Sequence, residues 1–486
     1  MKQLNQIVPS TLILETIGSG SVEICELTFD SRSVKPGSCF IAMPGTQVDG
    51  HNYIDKAVEF GATSIVCERL PDAKHKGVTY IRVADSSETL GKMASAFYDN
   101  PSQKMKLVGI TGTNGKTTTV TLLNKLFTKL GYKSGLLSTV TNFIGDKEVP
   151  STHTTPDSIQ LNHLLSRMVD AGCSYCFMEV SSHSVVQNRI AGLTFSGGIF
   201  SNITHDHLDY HKTFEEYLKA KKQFFDNLPA SAFALVNIDD RNGRVMVQNT
   251  KAKVSTYSIR SMADFRCKVI ESHFDGMMLI VDSTEVWTRL VGGFNASNLI
   301  AIYSVARLLG IEKDQALMEL SNLTPVSGRF ESIKSPNGIT AIVDYAHTPD
   351  AVQNVIDTIN QIRSQDQKLI TVIGAGGNRD KTKRPIMARV AVENSNMVIL
   401  TSDNPRFEEP EDILNDMKAG VEPSVVGKAL TIIDRREAIR TACLLAGSGD
   451  IVLVAGKGHE TYQEVKGVKH HFDDREVIRE IFASVK

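Results

Sequence analysis

The sequence of 486 residues lacks any block of like charge, and 53 Lys and Arg against 55 Asp and Glu leave a formal net charge of −2. This balance excludes a broad nucleic-acid or acidic-membrane surface, so small molecules are the expected partners. The sequence also lacks an apolar run of about 18 residues, and no membrane span is predicted. Pro9 and Glu15 interrupt the apolar stretch near the N-terminus, and we therefore expect no signal peptide.

Cysteine is scarce as well. The 7 cysteines are odd in number and scattered, which does not match a disulfide framework and predicts a protein of the reducing cytoplasm. Cys173 and Cys176 form a lone CxxC motif in a strand-like run, where an odd separation directs the two side chains to opposite faces. We expect both to be core residues and not metal ligands.

Apolar and charged residues make up an ordinary 41% and 22% of the chain, and at about 150 residues per domain its length predicts three domains. Residues 1–102 mix short apolar runs with helical patterns and predict a small N-terminal α/β domain. Residues 103–328 alternate strand-like and helical segments, which predicts a central P-loop ATPase-like domain with a mostly parallel sheet. Residues 329–486 predict a doubly wound, Rossmann-like domain whose ligands gather beyond the carboxyl ends of its strands. The predicted fold class is α/β.

A phosphate-binding loop opens the central domain. It lies between an apolar run and a helical pattern, and it consists of Gly112, Thr113, Asn114, Gly115, Lys116, Thr117 and Thr118. Such a loop offers backbone N–H groups at a helix N-terminus, where the partial positive charge favours phosphate oxygens. Lys116 would reach the terminal phosphates of ATP, and the Thr117 hydroxyl would bind Mg²⁺. The general P-loop pattern has glycine where this chain has Ile110, so the loop is a shortened variant.

Further Mg²⁺ ligands are predicted after two other apolar runs. Glu179 ends one run and His207 follows another, so a carboxylate, an imidazole and the Thr117 hydroxyl could converge on one ion. The alternative is a zinc site of His205, His207 and His211, whose HxHxxxH spacing suits Zn²⁺. The lack of an HExxH helix and the presence of the phosphate loop favour Mg²⁺.

The segment DNPR follows an apolar run in the C-terminal domain. Pro405 fixes a turn that presents Asp403, Asn404 and Arg406 together. A guanidinium binds a carboxylate through two parallel hydrogen bonds, which the ammonium of lysine does not offer. The set therefore suits an amino acid that carries a second amine and a second carboxylate.

The loop GTNGKTT resembles the ATP loop of the Mur ligases and of their folylpolyglutamate synthetase relatives. Further motifs similar to those of Mur ligases follow in order over nearly the whole chain: DSRSVKPGSCF (30–40), HTTPDS (153–158), MEVSSHSVVQNRI (178–190), NITHDHLDYH (202–211), YLKAKKQFF (217–225), GGFNASN (292–298), SGRFE (327–331), DYAHTPD (344–350), GNRDKTKRP (377–385), DNPR (403–406) and GKGHE (456–460). This resemblance implies a ligase of peptidoglycan synthesis that uses ATP and Mg²⁺.

The resemblance also implies roles for single residues. For ATP it implies the phosphate loop with Asn295, Arg329 and Asp344, and for catalysis Lys116, Glu179, His207, Lys221 and His347. It implies that CO₂ converts Lys221 to a carbamate (N6-carboxylysine), a Mg²⁺ ligand beside Thr117, Glu179 and His207. For the UDP-MurNAc-dipeptide it implies Phe29, Ser31, Thr46, Gln47, Val48, His153, Thr154, Thr155, Ser181, Gln187 and Arg189. For diaminopimelate it implies Arg379, Asp403, Asn404, Pro405, Arg406, Gly456 and Glu460.

The implied reaction is the ATP-dependent, ADP-forming addition of meso-2,6-diaminopimelate to UDP-N-acetylmuramoyl-L-alanyl-D-glutamate through an acyl phosphate, carried out by a cytoplasmic monomer. The resemblance to the DNPR form, whose Arg406 can bind a carboxylate through two hydrogen bonds, implies meso-diaminopimelate over L-lysine. Two alternatives stay open at this point. The chain could add L-lysine, or glutamate to folate, although the DSR and GKGHE motifs argue against folate. It could instead be a nucleotide-switched P-loop binding protein that ligates nothing.

Overall fold

The computed structural model describes residues 1–45, 48–151, 153–204, 206 and 208–484. Three sheets follow one another along the chain, with five, eleven and six strands. Apolar side chains pack on both faces of each sheet and form two core clusters per sheet. Burial on both faces is the arrangement expected of mostly parallel sheets, and it agrees with the predicted α/β class.

The N-terminal part is a small α/β unit. Its strands are β1 (Lys2–Gln3), β2 (Ile13–Ile17), β3 (Glu23–Ile24), β4 (Glu26–Thr28), β5 (Ser38–Ile41), β6 (Ser64–Cys67) and β7 (Thr79–Val83), and its helices are α1 (Leu4–Ile7), α2 (Ile54–Glu59) and α3 (Ser86–Phe97). The main sheet has the order β2-β7-β6-β5-β4, in which only β2 pairs antiparallel. Helices α3 and α2 supply apolar side chains to its two core clusters.

The central part carries the largest sheet. Its strands are β8 (Lys106–Thr111), β9 (Ser134–Leu137), β10 (Thr141–Ile144), β11 (Lys147–Pro150), β12 (Tyr175–Glu179), β13 (Gly197–Phe200), β14 (Phe233–Asn237), β15 (Lys253–Ser258), β16 (Phe265–His273), β17 (Gly276–Val281) and β18 (Thr284–Thr288). Its helices are α4 (Lys116–Lys129), α5 (Ser158–Asp170), α6 (Ser182–Val186), α7 (Leu208–His211), α8 (Phe214–Asp226), α9 (Gly243–Met246), α10 (Gly293–Leu308) and α11 (Lys313–Ser321).

The strand order β11-β10-β9-β12-β8-β13-β14-β15-β16-β17-β18 places β8 between β12 and β13. From β9 to β16 neighbouring strands are parallel, and both ends of the sheet are antiparallel hairpins. The carboxyl ends of β8, β12 and β13 therefore meet at one edge, where the phosphate loop begins. Sequence analysis did not identify β16–β18. Strands β16 and β18 mix exposed and buried residues and lack long apolar runs, whereas β17 is a continuous apolar run that was missed.

The C-terminal part is a second wound sheet, as predicted. Its strands are β19 (Glu331–Lys334), β20 (Thr340–Asp344), β21 (Leu369–Ile373), β22 (Met397–Leu400), β23 (Ala429–Thr431), β24 (Ile451–Ala455), β25 (Tyr462–Val465) and β26 (Val468–His471), and its helices are α12 (Pro349–Ile362), α13 (Lys383–Asn394), α14 (Pro410–Lys418), α15 (Arg435–Leu445) and α16 (Asp474–Ser484). The order β19-β20-β24-β21-β22-β23 is parallel except for β19. Helices α12–α14 cover one face, and α15 and α16 cover the other.

The CxxC cysteines lie in the core, as predicted. Cys173 and Cys176 are buried in the same cluster, but Cys173 precedes β12 instead of lying within it. The prediction that the two side chains point to opposite faces of one strand was therefore wrong. All seven cysteines are free thiols. In the described ranges, the structure shows no helix long and apolar enough to cross a membrane.

A buried ion pair joins the two helices on one face of the C-terminal sheet. Arg435 begins α15 and Asp474 begins α16, and both side chains are 0% exposed. The guanidinium binds both carboxylate oxygens at 2.8 Å and also donates to the carbonyl of Ala455 at 3.1 Å. The pair therefore holds α15 and α16 against the carboxyl end of β24.

Removing one charge of this pair should destabilise the protein strongly. We expect Asp474→Asn to lower the free energy of unfolding by about 3–5 kcal/mol, because it leaves a buried guanidinium without a counter-charge. The control is Glu480→Gln, which removes the exposed partner of Arg436 from the same two helices and should cost less than about 1 kcal/mol. Denaturant titration measures the free energy of unfolding of both variants. Equal losses in Asp474→Asn and Glu480→Gln would contradict a stabilising role for the buried pair.

Candidate active site

The phosphate loop is shaped by two glycines at the end of β8. Gly112 has a φ of +155°, and a Cβ at this position would lie 2.0 Å from Ser201 Oγ. Gly115 has a φ of +86°, and a Cβ there would lie 2.6 Å from Asn298 Oδ1. No larger residue fits at either position. Gly115 is the N-cap of α4 and supplies no side-chain hydrogen bond, so the first N–H groups of a 14-residue helix are left for an anion.

Lys116 turns back over the loop. Its Nζ donates to the carbonyls of Gly112 and Thr113 at 2.9 and 2.8 Å. Burial lowers the pKa of Lys116, whereas the nearby carboxylates of Glu179 and Asp206 raise it. Thr118 is buried in the first turn of α4.

A carboxylate from β12 meets the loop. Glu179 is 1% exposed, and its Oε1 accepts hydrogen bonds from the Thr117 hydroxyl at 2.9 Å and from the backbone N–H of Thr139 at 2.8 Å. The Thr139 hydroxyl donates to Oε2 at 3.2 Å. Sequence analysis missed Thr139, which follows β9. The carboxylate and hydroxyl oxygens of Glu179 and Thr117 suit a hard cation such as Mg²⁺.

Lys221 of α8 reaches the same place. It is 1% exposed, and its Nζ donates to the carbonyl of Gly112 at 2.8 Å, the carbonyl that Lys116 also uses. Burial and the charge of Lys116 lower the pKa of Lys221 well below its ordinary value. The structure thus brings Lys116, Thr117, Glu179 and Lys221 together. His207, the fourth predicted metal ligand, lies outside the described residues.

The structure does not test the zinc alternative. His205 and His207 lie outside the described residues, and the Nε2 of His211 is 2.8 Å from the Ser182 hydroxyl. Within the described ranges no group of three or more His, Cys, Asp and Glu side chains is arranged to hold a metal.

Residues from the C-terminal part lie beside the phosphate loop. The Arg329 guanidinium lies 3.4 Å from the Thr117 hydroxyl and packs over the ring of Tyr345, 4.5 Å from its centroid. Asp344 ends β20, and its Oδ2 accepts the N–H of Phe330 at 2.7 Å. Burial raises the pKa of Asp344 to about 6, against the lowering effect of Arg329.

Two further residues lie near this junction. Asn295 is held in α10, where its amide donates to the Val291 carbonyl at 2.8 Å. Burial lowers the pKa of His347 to about 4, so its imidazole is neutral at physiological pH. The Nδ1 of His347 is 2.8 Å from the Tyr345 carbonyl and must donate, which leaves Nε2 as an acceptor.

The phosphate loop also contacts the C-terminal part through a residue that sequence analysis missed. The Asn114 amide donates to Asp350 Oδ2 at 2.9 Å. Asp350 is in the first turn of α12, directly after the predicted His347 segment. Its place in DYAHTPD was the only sequence signal for it.

The residues predicted for the sugar nucleotide fall into two groups. Phe29 lines a cavity of about 310 Å³ between the N-terminal sheet and α5, and Ser31 is buried nearby in the chain. Val48 is exposed, whereas Thr46 and Gln47 lie outside the described residues.

The second group surrounds Arg189. Its guanidinium donates to Gln187 Oε1 at 2.6 and 2.9 Å and to the Thr155 carbonyl at 2.7 Å. Thr155 also donates to the Glu179 carbonyl and accepts from the N–H of Ser181. The hydroxyl oxygens of Thr154 and Thr139 lie 3.0 Å apart, which places this group beside Glu179, and His153 is exposed next to it.

The DNPR segment lies where three strands of the C-terminal sheet end. Asn404 Nδ2 donates to Glu460 Oε2 at 2.8 Å, and a Cβ on Gly456 would lie 2.5 Å from Asp403 Oδ2. Asp403 and Asn404 after β22 therefore touch Gly456 and Glu460 after β24. Arg379, after β21, is exposed.

Arg406 is held in an unusual conformation at this site. Its φ of +55° lies in the left-handed region, which costs a non-glycine residue about 1–2 kcal/mol. Its N–H donates to the Glu464 carbonyl at 3.0 Å, its Nη1 donates to the carbonyl of Gly377 at 2.8 Å, and its Nε is 3.5 Å from Glu464 Oε2. Pro405 directly precedes it. The hairpin of β25 and β26 thus supports the turn.

Known proteins similar to this chain are Mur ligases. Three family models match it: "Mur ligase family, catalytic domain" at residues 23–98, "Mur ligase middle domain" at 110–306, and "Mur ligase, glutamate ligase domain" at 328–458.

Two curated relatives are named UDP-N-acetylmuramoyl-L-alanyl-D-glutamate--2,6-diaminopimelate ligase. The protein from Phocaeicola vulgatus is 58% identical over 482 residues, covering 99% of this chain and 100% of the relative. The protein from Bacteroides fragilis is 59% identical over 481 residues, covering 99% of each. A solved structure of a ligase with the same name shares 32% identity over 95% of each chain, with a TM-score of 0.68. The MurF ligase of Thermotoga maritima in complex with ADP shares the fold, with a TM-score of 0.62, 21% identity and coverage of 95% and 97%.

The raised pKa of Asp344 predicts a pH effect on stability. The pKa of the Asp344 carboxyl is about 6 in the folded state and 3.8 ordinarily. The folded protein therefore binds a proton that the unfolded chain releases, and its free energy of unfolding falls as the pH rises from about 4 through 6. We expect Asp344→Asn to gain about 2 kcal/mol of unfolding free energy relative to wild type between about pH 4 and pH 7. Denaturant titration of both proteins at each pH measures this, and a constant difference would contradict the buried carboxyl.

Proposed function

The chain belongs to the Mur ligase family, and we propose that it joins meso-2,6-diaminopimelate to UDP-N-acetylmuramoyl-L-alanyl-D-glutamate while ATP is cleaved to ADP and phosphate. One observation supports this most: Lys116, Thr117, Glu179 and Lys221 converge at the phosphate loop, and residues of the C-terminal sheet reach the same loop. Relatives that share more than half of its residues over 99% of its length carry the name of this ligase.

ATP would lie on the N-terminus of α4, with Lys116 at its terminal phosphates and Asn295, Arg329 and Asp344 around the nucleotide. Thr117, Glu179 and His207 would hold Mg²⁺, which when bound supplies positive charge beside the phosphoryl oxygens. Lys116 stabilises the negative charge of the transferring phosphoryl group, because its ammonium is held close to the loop by two carbonyls.

Lys221 would act as a carbamate. Its burial and the charge of Lys116 favour the neutral amine, which is the form that attacks CO₂. The new N–C bond releases one proton and turns a cationic side chain into an anionic oxygen ligand for Mg²⁺. This change also removes the repulsion between Lys116 and Lys221.

The carboxylate of the D-glutamyl residue would be activated beside this cluster. Its oxygen takes the γ-phosphoryl group and ADP leaves. The amine then attacks the carbonyl carbon, the C–N bond forms, the C–O bond to phosphate breaks, and the amine loses a proton. Arg189 offers a guanidinium for the anionic substrate, with Phe29, Ser31, Thr46–Val48, His153–Thr155, Ser181 and Gln187 as the other contacts.

The amino acid would bind at the end of the C-terminal sheet. Arg406 binds its second carboxylate, and Asp403 and Glu460 bind its ammonium groups, with Asn404, Arg379, Pro405 and Gly456 forming the rest of the site. His347 is the candidate to accept the proton of the attacking amine, since its Nε2 is an acceptor.

We also propose that the enzyme works in the cytoplasm as a monomer. All seven cysteines are free thiols, which suits a reducing compartment. One copy of the chain carries the phosphate loop, Glu179, Lys221 and the proposed amino-acid site, so the proposal needs no group from a second copy.

Lys116→Ala should reduce ligation most severely. We expect kcat to fall by at least about 100-fold, because a charge that stabilises the transferring phosphoryl group is lost. The control Lys129→Ala removes an exposed lysine from the last turn of the same helix and should keep wild-type activity. Product formation followed by mass decides the case. Undiminished ligation by Lys116→Ala, or ATP turnover by the wild type without a joined product, would overturn the proposed function.

Arg406→Ala should change the use of the amino acid and not of ATP. We expect the KM for meso-diaminopimelate to rise about 10- to 100-fold, the size expected for a charged hydrogen-bonded pair, while the KM for ATP stays within about two-fold. A phosphate-release assay with meso-diaminopimelate and L-lysine as acceptors measures this. Equal effects on both KM values would remove Arg406 from the amino-acid site, and wild-type preference for L-lysine would contradict the proposed acceptor.

A further inference from the structure

Lys457 is a buried lysine at the amino-acid site to which no role has been given. It follows Gly456 directly after β24, and its side chain is 0% exposed. Lysine is among the residues least often buried, because an ammonium loses much hydration unless acceptors replace the water. Its burial beside a binding site therefore calls for a reason.

The ammonium of Lys457 has three acceptors within the protein. Its Nζ contacts Asn404 Oδ1 at 3.3 Å, Glu460 Oε2 at 3.1 Å and the carbonyl of Tyr462. An ammonium has three N–H donors, so all three are used. Lys457 consequently has no donor left for a substrate, and any effect on the substrate must pass through its neighbours.

The contacts of Lys457 fix the amide of Asn404. Asn404 Oδ1 accepts from Lys457 and from the N–H of Glu464 at 2.9 Å, so the amide oxygen faces these donors. The amide nitrogen must then point the other way, and it donates to Glu460 Oε2 at 2.8 Å. These three hydrogen bonds determine which end of the Asn404 amide faces Lys457 and which faces Glu460.

The same contacts divide the two oxygens of Glu460. Oε2 accepts from both Lys457 and Asn404, whereas Oε1 accepts no hydrogen bond from the residues that the structure describes. Glu460 thus keeps one carboxylate oxygen available for an ammonium group.

The charge of Lys457 also matters for Glu460. Burial and the neighbouring carboxylate of Asp403 raise the pKa of Glu460, and Lys457 lowers it. The other ionisable groups that face Glu460 are Tyr345 and Tyr462, which are neutral at physiological pH, and the buried cation Arg435. Loss of Lys457 would therefore raise the pKa of Glu460 further and disfavour the carboxylate that binds an ammonium.

We propose that Lys457 is a positioning residue for the amino-acid substrate: it fixes Asn404 and one oxygen of Glu460 so that the other oxygen receives a substrate ammonium group. This inference rests on the proposed function, because it takes the acceptor of the ligation to be the molecule bound there. The inference goes beyond the residues that touch the substrate, because it explains what orients Asn404 and Glu460 and what keeps Glu460 charged.

The test is Lys457→Gln, which keeps a hydrogen-bond donor and removes the charge. We expect the KM for meso-diaminopimelate to rise at least about ten-fold near pH 7, while the KM values for ATP and the sugar nucleotide stay within about two-fold. The ratio of variant to wild-type KM should decrease as the pH rises, because loss of Lys457 raises the pKa of Glu460 and a higher pH favours its ionised form. Lys469→Gln is the matched control, since this exposed lysine also packs over Tyr462, 4.2 Å from its centroid, and should leave all three KM values unchanged.

A double-mutant cycle separates positioning from folding. Glu460→Gln alone should raise the KM for diaminopimelate, and adding Lys457→Gln should raise it little further, because Lys457 acts through Glu460. Lys457→Met, which keeps the length of the side chain, is made alongside, and thermal unfolding identifies the folded variants. Additive effects, a pH-independent loss, or an unchanged KM in a folded variant would overturn the role of Lys457. Failure of the wild type to ligate diaminopimelate would instead overturn the proposed function and this inference with it.

Discussion

Two lysine side chains, Lys116 and Lys221, donate hydrogen bonds to one backbone carbonyl, that of Gly112. Like charges in a desolvated place repel, and burial lowers the pKa of both. Such an arrangement is favourable only where anions compensate it, and Glu179 and Asp206 do so in part. A triphosphate on the loop, and a negative charge on Lys221 itself, would complete the compensation. The rest of the site is arranged around this concentration of charge.

Sequence alone could predict the parts of the site whose residues lie close together in the chain or at the ends of recognisable strands. The phosphate loop is one of them, because its glycines, lysine and threonine form a single strand-to-helix turn. The strand ends that carry Glu179 and the DNPR segment are others, since parallel sheets bring the carboxyl ends of their strands to one edge. The resemblance to Mur ligases then supplied the residues whose own pattern is weak, such as the serines and threonines around Arg189.

What sequence could not show depends on contacts between distant segments. Thr139 binds Glu179 only because β9 pairs with β12, and Asp350 meets Asn114 only because α12 lies against the phosphate loop. Lys457 is a further case, because nothing in the letters GKGHE distinguishes a buried lysine from a solvated one. Strands β16 and β18 escaped prediction for a different reason, since half-exposed strands lack a long apolar run, whereas the apolar run of β17 was missed.

The phosphate loop of the central sheet is in contact with residues of the C-terminal part. Asn114 is bound by Asp350 and Thr117 is approached by Arg329, so residues of the C-terminal part touch both ends of the loop. Tyr345 packs against Arg329 and, on the other side of the junction, against His459 in the segment that also carries Lys457 and Glu460. Arg329, Tyr345 and His459 therefore form a continuous series of contacts from the phosphate loop to the segment that carries Lys457 and Glu460. The phosphate loop and the end of the C-terminal sheet are in this sense one connected structure.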